Sequence, residues 1–371
     1  MLDPIRQEAL ARAEGLHASP SVVAKVAKAT SNEAASWAFT QWVLRKQART
    51  KFALADQMLF TREALEQSTG EQLARYHASK FPRGVLAADL TTGIGADLIA
   101  LAARGPAVGY ELDEERAEYA RHNLAAHGVE AEIRVADSLG ANWDFELAFA
   151  DPSRRVGGSR TLNPVDFQPN PIALGQRMTS LSRGVLKLTP MLPDRYFREL
   201  GGKTEFLSLG RECREALVIF GNGGPDRTAI HVETGGVLPE GDPPRGAPEP
   251  MAFLYEADPA AIRGDCLGTL ARDLDIYGLG DSNGYLTGDR LWLQSCWLTP
   301  YRVLGSHRAD VSLTKKLLSE LGGGTPVIKS RAGIDVEALR KKLRLDGKRE
   351  LIVAVYEVGR SLRHVILEAI R

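Results

Sequence analysis

The sequence predicts an α/β fold built on a parallel sheet, with a helical region before it and two small α+β units after it. Short apolar runs alternate with helical stretches between residues 83 and 234, the runs end in acidic or glycine-rich turns, and a proline- and glycine-rich break falls at 235–250. Strands separated by helices of about 10–15 residues imply right-handed crossovers and a parallel sheet.

Residues 2–81 are helical in pattern. Ser68 and Thr69 precede Glu71 and Gln72 by three, so a capping box should start a helix there. Next come strand 85–90, helix 96–103, strand 107–111, helix 114–127, strand 132–135, strand 147–150, helix 172–181 and strand 184–188. Stretches 205–209 and 215–220 lie too close for a helical crossover and should form an antiparallel hairpin at the sheet edge, with 228–234 as a further strand. Beyond the break, strands 251–256 and 284–287 flank one helix over 259–274. From Trp297 the pattern is strand, helix 309–321, strand 326–330, helix 336–343 and strands 350–357 and 364–368. The expected organisation is a helical region at 1–82, the sheet domain at 83–235, and small α+β domains at 251–296 and 297–371.

The 371 residues are 44% hydrophobic and 25% charged, an ordinary globular balance. No apolar stretch reaches a membrane-spanning length, and Met1-Leu2-Asp3-Pro4 runs into a polar helix rather than a leader. Cys213, Cys266 and Cys296 form no Cys-x-x-Cys pair, so neither a metal site nor a disulfide framework is expected, and a cytoplasmic setting is. Net charge is zero, yet residues 83–296 carry 21 Lys/Arg against 31 Asp/Glu and residues 297–371 carry 15 against 8. Such a basic tail suits a polyanion or, equally, a solvated lysine-rich surface. The basic stretch Arg45–Lys51 can be read in the same two ways.

Chemistry concentrates at the predicted strand ends. Asp89 closes the first strand, and the turn Leu90-Thr91-Thr92-Gly93-Ile94-Gly95 leads into a helix, which sets backbone N–H groups beside a ligand. Glu111, with Leu112 after it, ends the second strand, where an acid can accept both hydroxyls of a ribose. Asp137-Ser138 follows the third, where a carboxylate can accept from an adenine amino group, and Asp151-Pro152 follows the fourth. A nicotinamide site would want a third glycine, but Gly93-Ile94-Gly95-Ala96-Asp97-Leu98 lacks it, and Asp89 and Asp97 would repel a diphosphate. A cationic methionine end suits Asp89 instead.

The order Asp-x-x-x-Gly-x-Gly, Glu-Leu-Asp, Ala-Asp-Ser, Asp-Pro resembles the class I S-adenosylmethionine (SAM)-dependent methyltransferases over residues 83–234. Asp89–Asp97, Phe149–Arg155, Leu186–Met191, Arg211–Glu215, Leu65–Gln67, Val327–Lys329 and Leu339–Leu343 extend the likeness to bacterial methyltransferases that end in a THUMP-like domain. The resemblance implies a Rossmann-like sheet, SAM as cofactor, a ferredoxin-like domain at 251–296 and a THUMP-like domain at 297–371; THUMP domains bind RNA. Asp89, Thr91, Gly93, Gly95, Glu111, Leu112, Asp137 and Ser138 would hold the cofactor. Thr91 replaces the first glycine of the commonest loop, as in several nucleic-acid methyltransferases.

Asp151, Pro152 and Arg154 are the candidate catalytic residues. Amino methyltransferases of nucleic acid typically carry (Asp/Asn)-Pro-Pro-aromatic here; this chain keeps Asp151-Pro152 but offers Ser153-Arg154. Arg154 can stack on a base or grip a phosphate; alternatively Arg154 and Arg155 pair with Asp144 or Glu146. Strand five ends Lys187-Leu188-Thr189-Pro190 without a nucleophilic cysteine, which disfavours covalent methylation of uracil carbon 5. Lys187 can neutralise a phosphate or pair with Asp151. The expected activity is methylation of a base nitrogen of rRNA or tRNA. The alternatives are a protein or small-molecule methyltransferase, and a noncatalytic RNA-binding protein that keeps the SAM pocket. Cys213, His231 and the five tryptophans are read as packing residues.

Overall fold

The computed structural model describes residues 2–156, 159–221, 224, 226–281 and 284–370, with the side chains of residues 155–160 outside it. Two compact units divide the chain: Met1–Lys203 with Leu217–Gly224, and Thr204–Ala216 with Pro225–Arg371.

In the first unit, helices α1 (Pro4–Ala13), α2 (Pro20–Ala29), α3 (Asn32–Ala48), α4 (Arg62–Gln67) and α5 (Glu71–Ser79) come first. Asp3, Ser19, Ser31 and Thr61 begin the first four by accepting a helical N–H. The capping box expected for the fifth is absent: α5 starts at Gly70 with no side-chain cap. Ser68 Oγ instead donates to the Leu65 carbonyl, and Thr69 Oγ1 accepts from Lys187. Phe52, Met58, Leu59 and Phe60 share a buried core with Ile94, Ala96 and Tyr119, so the helical region packs directly on the glycine-loop side of the sheet.

The sheet elements follow: β1 (Ala87–Asp89), α6 (Ala96–Ala102), β2 (Ala107–Glu111), α7 (Glu114–Ala126), β3 (Glu132–Val135), β4 (Leu147–Ala150), the short pair β5 (Arg155–Val156) and β6 (Ser159–Arg160), α8 (Pro171–Met178), β7 (Arg183–Leu188) and α9 (Asp194–Leu200). Helix α9 escapes the sequence reading. Then come β8 (Lys203–Leu209) and β9 (Glu212–Phe220), whose second half belongs to this unit. The order here is β9-β7-β4-β1-β2-β3, with β7, β4, β1, β2 and β3 mutually parallel. Every residue of β1, β2 and β4 is buried, as expected of central parallel strands covered on both faces. The parallel register brings the ends of β1, β2, β3 and β4 to one edge.

In the second unit, β8 lies between the first half of β9 and β10 (Arg227–His231), which also pairs with β11 (Gly236–Pro239). The 205–220 hairpin is therefore not at the edge. Residues 235–250 are also not all linker: β11 and β12 (Gly246–Ala247) lie within them. Leu238 is buried and Val237 exposed, a two-residue alternation hidden among glycines and prolines.

The remaining elements are β13 (Phe253–Ala257), α10 (Pro259–Arg263), α11 (Leu267–Leu274), β14 (Tyr277–Leu279), β15 (Tyr285–Gly288), β16 (Leu298–Arg308), α12 (Val311–Glu320), β17 (Val327–Ser330), α13 (Val336–Lys342), β18 (Ile352–Val358) and β19 (Ser361–Ala369). The single helix expected over 259–274 breaks in two around Asp265, which takes φ 56°. Strands from 251–296 and 297–371 join through β13–β16 into one sheet of order β12-β14-β15-β13-β16-β19-β18-β17. The sheet curls: Asp281 N–H reaches the Glu357 carbonyl, and Leu254, Tyr285, Tyr301, Tyr356 and Val365 fill its interior.

Candidate active site

Asp89 ends β1 and is 1% exposed. Its Oδ1 accepts from Thr91 N–H at 3.1 Å, while Oδ2 is buried with no hydrogen-bond partner among the described residues. Burial, and next the negative charge of Asp97, push its carboxyl well above the usual range. The loop closes through Gly95 N–H on the Thr92 carbonyl, and Thr92 N–H bonds to the Tyr110 carbonyl of β2. Gly93 and Gly95 both sit at positive φ, 56° and 88°. A side chain on Gly95 would press on Ala120 of α7, whereas the space beside Gly93 is open to an approaching ligand.

Glu111, 8% exposed, ties that loop to β2: its Oε2 accepts from Gly93 N–H at 2.8 Å. Its Oε1 accepts from Asp113 N–H and from Nε and Nη2 of Arg116. Leu112 beside it is 66% exposed, an apolar surface at the strand end. Asp137 is exposed and holds Leu139 N–H at 3.0 Å; Ser138 is buried. Two residues that sequence reasoning missed shape this wall. Trp143 donates to the Ser138 carbonyl, and Arg177 stacks on Trp143 while forking to the Leu139 and Ala141 carbonyls at 2.7 Å each. Trp143 is thus more than a packing residue.

Asp151 follows β4, and its N–H donates to Thr91 Oγ1 at 2.6 Å, so the threonine that replaces a glycine fastens the loop to the acceptor side. Asp151 Oδ2 takes an ion pair from Lys187 Nζ at 2.6 Å, the second of the two roles open to that lysine in the sequence. Lys187 also donates to Thr69 Oγ1 at 3.0 Å. Behind this pair, buried Asp97 pairs with His77 Nδ1 at 2.7 Å. Burial alone would raise the Asp97 carboxyl, but His77 brings it below the usual range. His77 itself stacks on Phe149 of β4. Ser153 Oγ reaches Gln67 at 3.3 Å, and Lys51 binds the Leu65, Glu66 and Ser68 carbonyls at the end of α4. The roles of Gln67, Thr69, His77 and Lys51 at this site are not legible in the sequence, because their partners lie far along the chain.

Pro152 is buried and Arg154 half-buried. Of the proposed partners for the arginines, Asp144 pairs with Arg134 and Glu146 accepts from Ser182; the side chain of Arg155 lies outside the described residues. The basic stretch 45–51 is largely spent on structure. Arg45 is 4% exposed on the Met58 carbonyl, with burial lowering its guanidinium to about 10; Arg49 pairs with Asp56. Among the described residues, no His/Cys/Asp/Glu cluster could hold a metal, and no helix is long and apolar enough to cross a membrane.

No family model matches the chain. Two curated relatives from Mycobacterium tuberculosis, of strains CDC 1551 and H37Rv, are each named an uncharacterized S-adenosylmethionine-dependent methyltransferase. Each is 32% identical over 359 residues, spanning 91% of this chain and 97% of the relative. The chain belongs to the SAM-dependent methyltransferases. A solved structure described as a candidate methyltransferase from Porphyromonas gingivalis W83 matches 99% of this chain and 98% of its own with a TM-score of 0.81 at 19% identity, so the fold is shared end to end. The donor set of this methyltransferase fits its cofactor. Asp89 Oδ2, buried and without a hydrogen-bond partner among the described residues, suits the ammonium of a methionine. Leu112 and Asp137 add an exposed apolar side chain and an exposed carboxylate at neighbouring strand ends.

Proposed function

We propose that this enzyme methylates a base nitrogen of RNA, rRNA or tRNA, in the cytoplasm, and that Asp151 orients the acceptor. The observation that carries the reading is Asp151 itself. Its backbone is bound to Thr91 in the loop after Asp89, and its carboxylate is aimed by Lys187, which Thr69 holds in turn. Bound SAM supplies an electrophilic methyl on a sulfonium. Transfer then requires chiefly alignment of acceptor, methyl and sulfur. In this reading Asp89 and Glu111 hold the two ends of the cofactor, with Thr91, Gly93, Gly95, Leu112, Asp137 and Ser138 shaping its groove. Asp151 accepts a hydrogen bond from the acceptor N–H and takes its proton after transfer, while Lys187 keeps the carboxylate in place. Pro152 fixes the turn, and Arg154 stacks on the base or holds its phosphate.

We assign residues 1–82 to a helical N-terminal domain, 83–235 to the catalytic domain, 251–296 to a ferredoxin-like domain and 297–371 to a THUMP-like RNA-binding domain. The tail supports this through its surplus cations. Arg340, Lys341, Lys342, Arg344 and Lys348 are all exposed at and just after the end of α13, and none has an ion-pair partner among the described residues. The test is mass spectrometry of digested bulk RNA from wild-type and deletion strains. Loss of one methylated nucleoside, restored by wild type but not by Asp151→Ala, is expected. An unchanged nucleoside profile would overturn the RNA assignment.

A further inference from the structure

A carboxylate offers about four acceptor positions. On Glu111 they are unevenly used: Oε1 accepts three donors, Asp113 N–H at 2.9 Å, Arg116 Nε at 3.1 Å and Arg116 Nη2 at 2.7 Å, while Oε2 accepts Gly93 N–H at 2.8 Å. The Gly93 and Asp113 donors are backbone groups, fixed by the loop after β1 and by the start of α7. The other two belong to one side chain, 36% exposed in the first turn of that helix. A ribose diol brings two hydroxyls to the same carboxylate and needs two of those positions.

We propose that Arg116 is a displaceable guard on Glu111, crowding Oε1 until one hydroxyl of the cofactor's diol takes its place there, the other reaches Oε2, and the guanidinium swings out to solvent. The proposal rests on the reading of Glu111 as the ribose acceptor. Oε1 then exchanges two guanidinium donors for one hydroxyl and Oε2 gains the other, so each oxygen ends with one backbone N–H and one O–H. The released guanidinium has new partners within its own turn, where Asp113, Glu114 and Glu115 are exposed. The contrast with Asp89 supports a distinct role: Asp89 waits with an empty oxygen, whereas Glu111 is held neutralised by a group that can leave. Cofactor affinity is then set by a competition. A ligand without a diol gains nothing when the guard is removed.

Calorimetric titration of the full chain with S-adenosylhomocysteine tests this. Arg116→Ala is expected to bind about 3- to 10-fold more tightly than wild type, the scale of losing one partly exposed ion pair. Arg116→Lys, with a single donor group, should fall between, and the gain should shrink as sodium chloride rises. Arg116→Gln keeps the aliphatic packing and should repeat the gain if the alanine variant folds poorly. Adenine alone should bind wild type and variant equally. Equal or weaker binding of S-adenosylhomocysteine by well-folded Arg116 variants would overturn the proposal, because the arginine would then be orienting Glu111. Wild-type-like binding by Glu111→Gln would remove the ribose reading beneath it, a failure separate from Glu111→Gln losing binding while Arg116→Ala gains none.

Discussion

The strand ends at Asp89–Asp151 and the curled sheet of the second unit both hold buried or half-buried carboxylates, but they partner them differently. Glu256 in the curled sheet takes Lys329 at 2.6 Å, Arg331 at 3.4 Å and the Tyr301 hydroxyl at 3.3 Å. Against the cost of burial, its bond to Glu256 raises the Lys329 ammonium above the usual value. That carboxylate is satisfied and needs nothing from outside. Asp89 is more deeply buried and leaves an oxygen empty. A fold tolerates an unpaired buried charge where a ligand completes it, so the deficit marks the site more sharply than the acids alone.

The comparison can be broken at several points. The largest effect is expected at His77→Ala, which leaves Asp97 buried and unpaired and should cost about 3 kcal/mol in urea unfolding. Because the folded Asp97 carboxyl lies below its unfolded value, the wild-type advantage should be full above the unfolded value and vanish as pH falls through the folded one. Glu256→Ala should cost less, about 1–2 kcal/mol, since Lys329 and Arg331 are 29% and 27% exposed and regain water. Its SAM affinity should match wild type. Asp89→Asn should do the reverse, raising cofactor-free stability by about 1 kcal/mol at neutral pH while losing SAM. With the folded Asp89 carboxyl raised, wild-type stability falls as pH climbs from the unfolded value toward the folded one. The gain of the asparagine variant should therefore disappear in acid.

Much of this was legible in the sequence. Strands β2, β3 and β4 match their expected bounds, because helix and turn signals on either side leave little room for another reading. The row Asp89, Glu111, Asp137, Asp151 follows from that periodicity and the parallel register. What was not legible depends on partners distant in sequence or on chemistry shared between functions. Thr69 looks like a helix cap and serves Lys187, 118 positions away. Arg177 looks like a helix-end cation and braces the loop after Asp137. Residues 236–239 look like linker because a glycine and a proline outweigh one buried leucine.

The most direct test of the strand-end site is a calorimetric titration of SAM into wild type, Asp89→Ala and Glu256→Ala. Wild type and Glu256→Ala should bind alike, and Asp89→Ala should lose at least about 100-fold in affinity, the scale of a buried charge-assisted contact. Unchanged SAM binding by Asp89→Ala, or loss of binding by a folded Glu256→Ala, would contradict it.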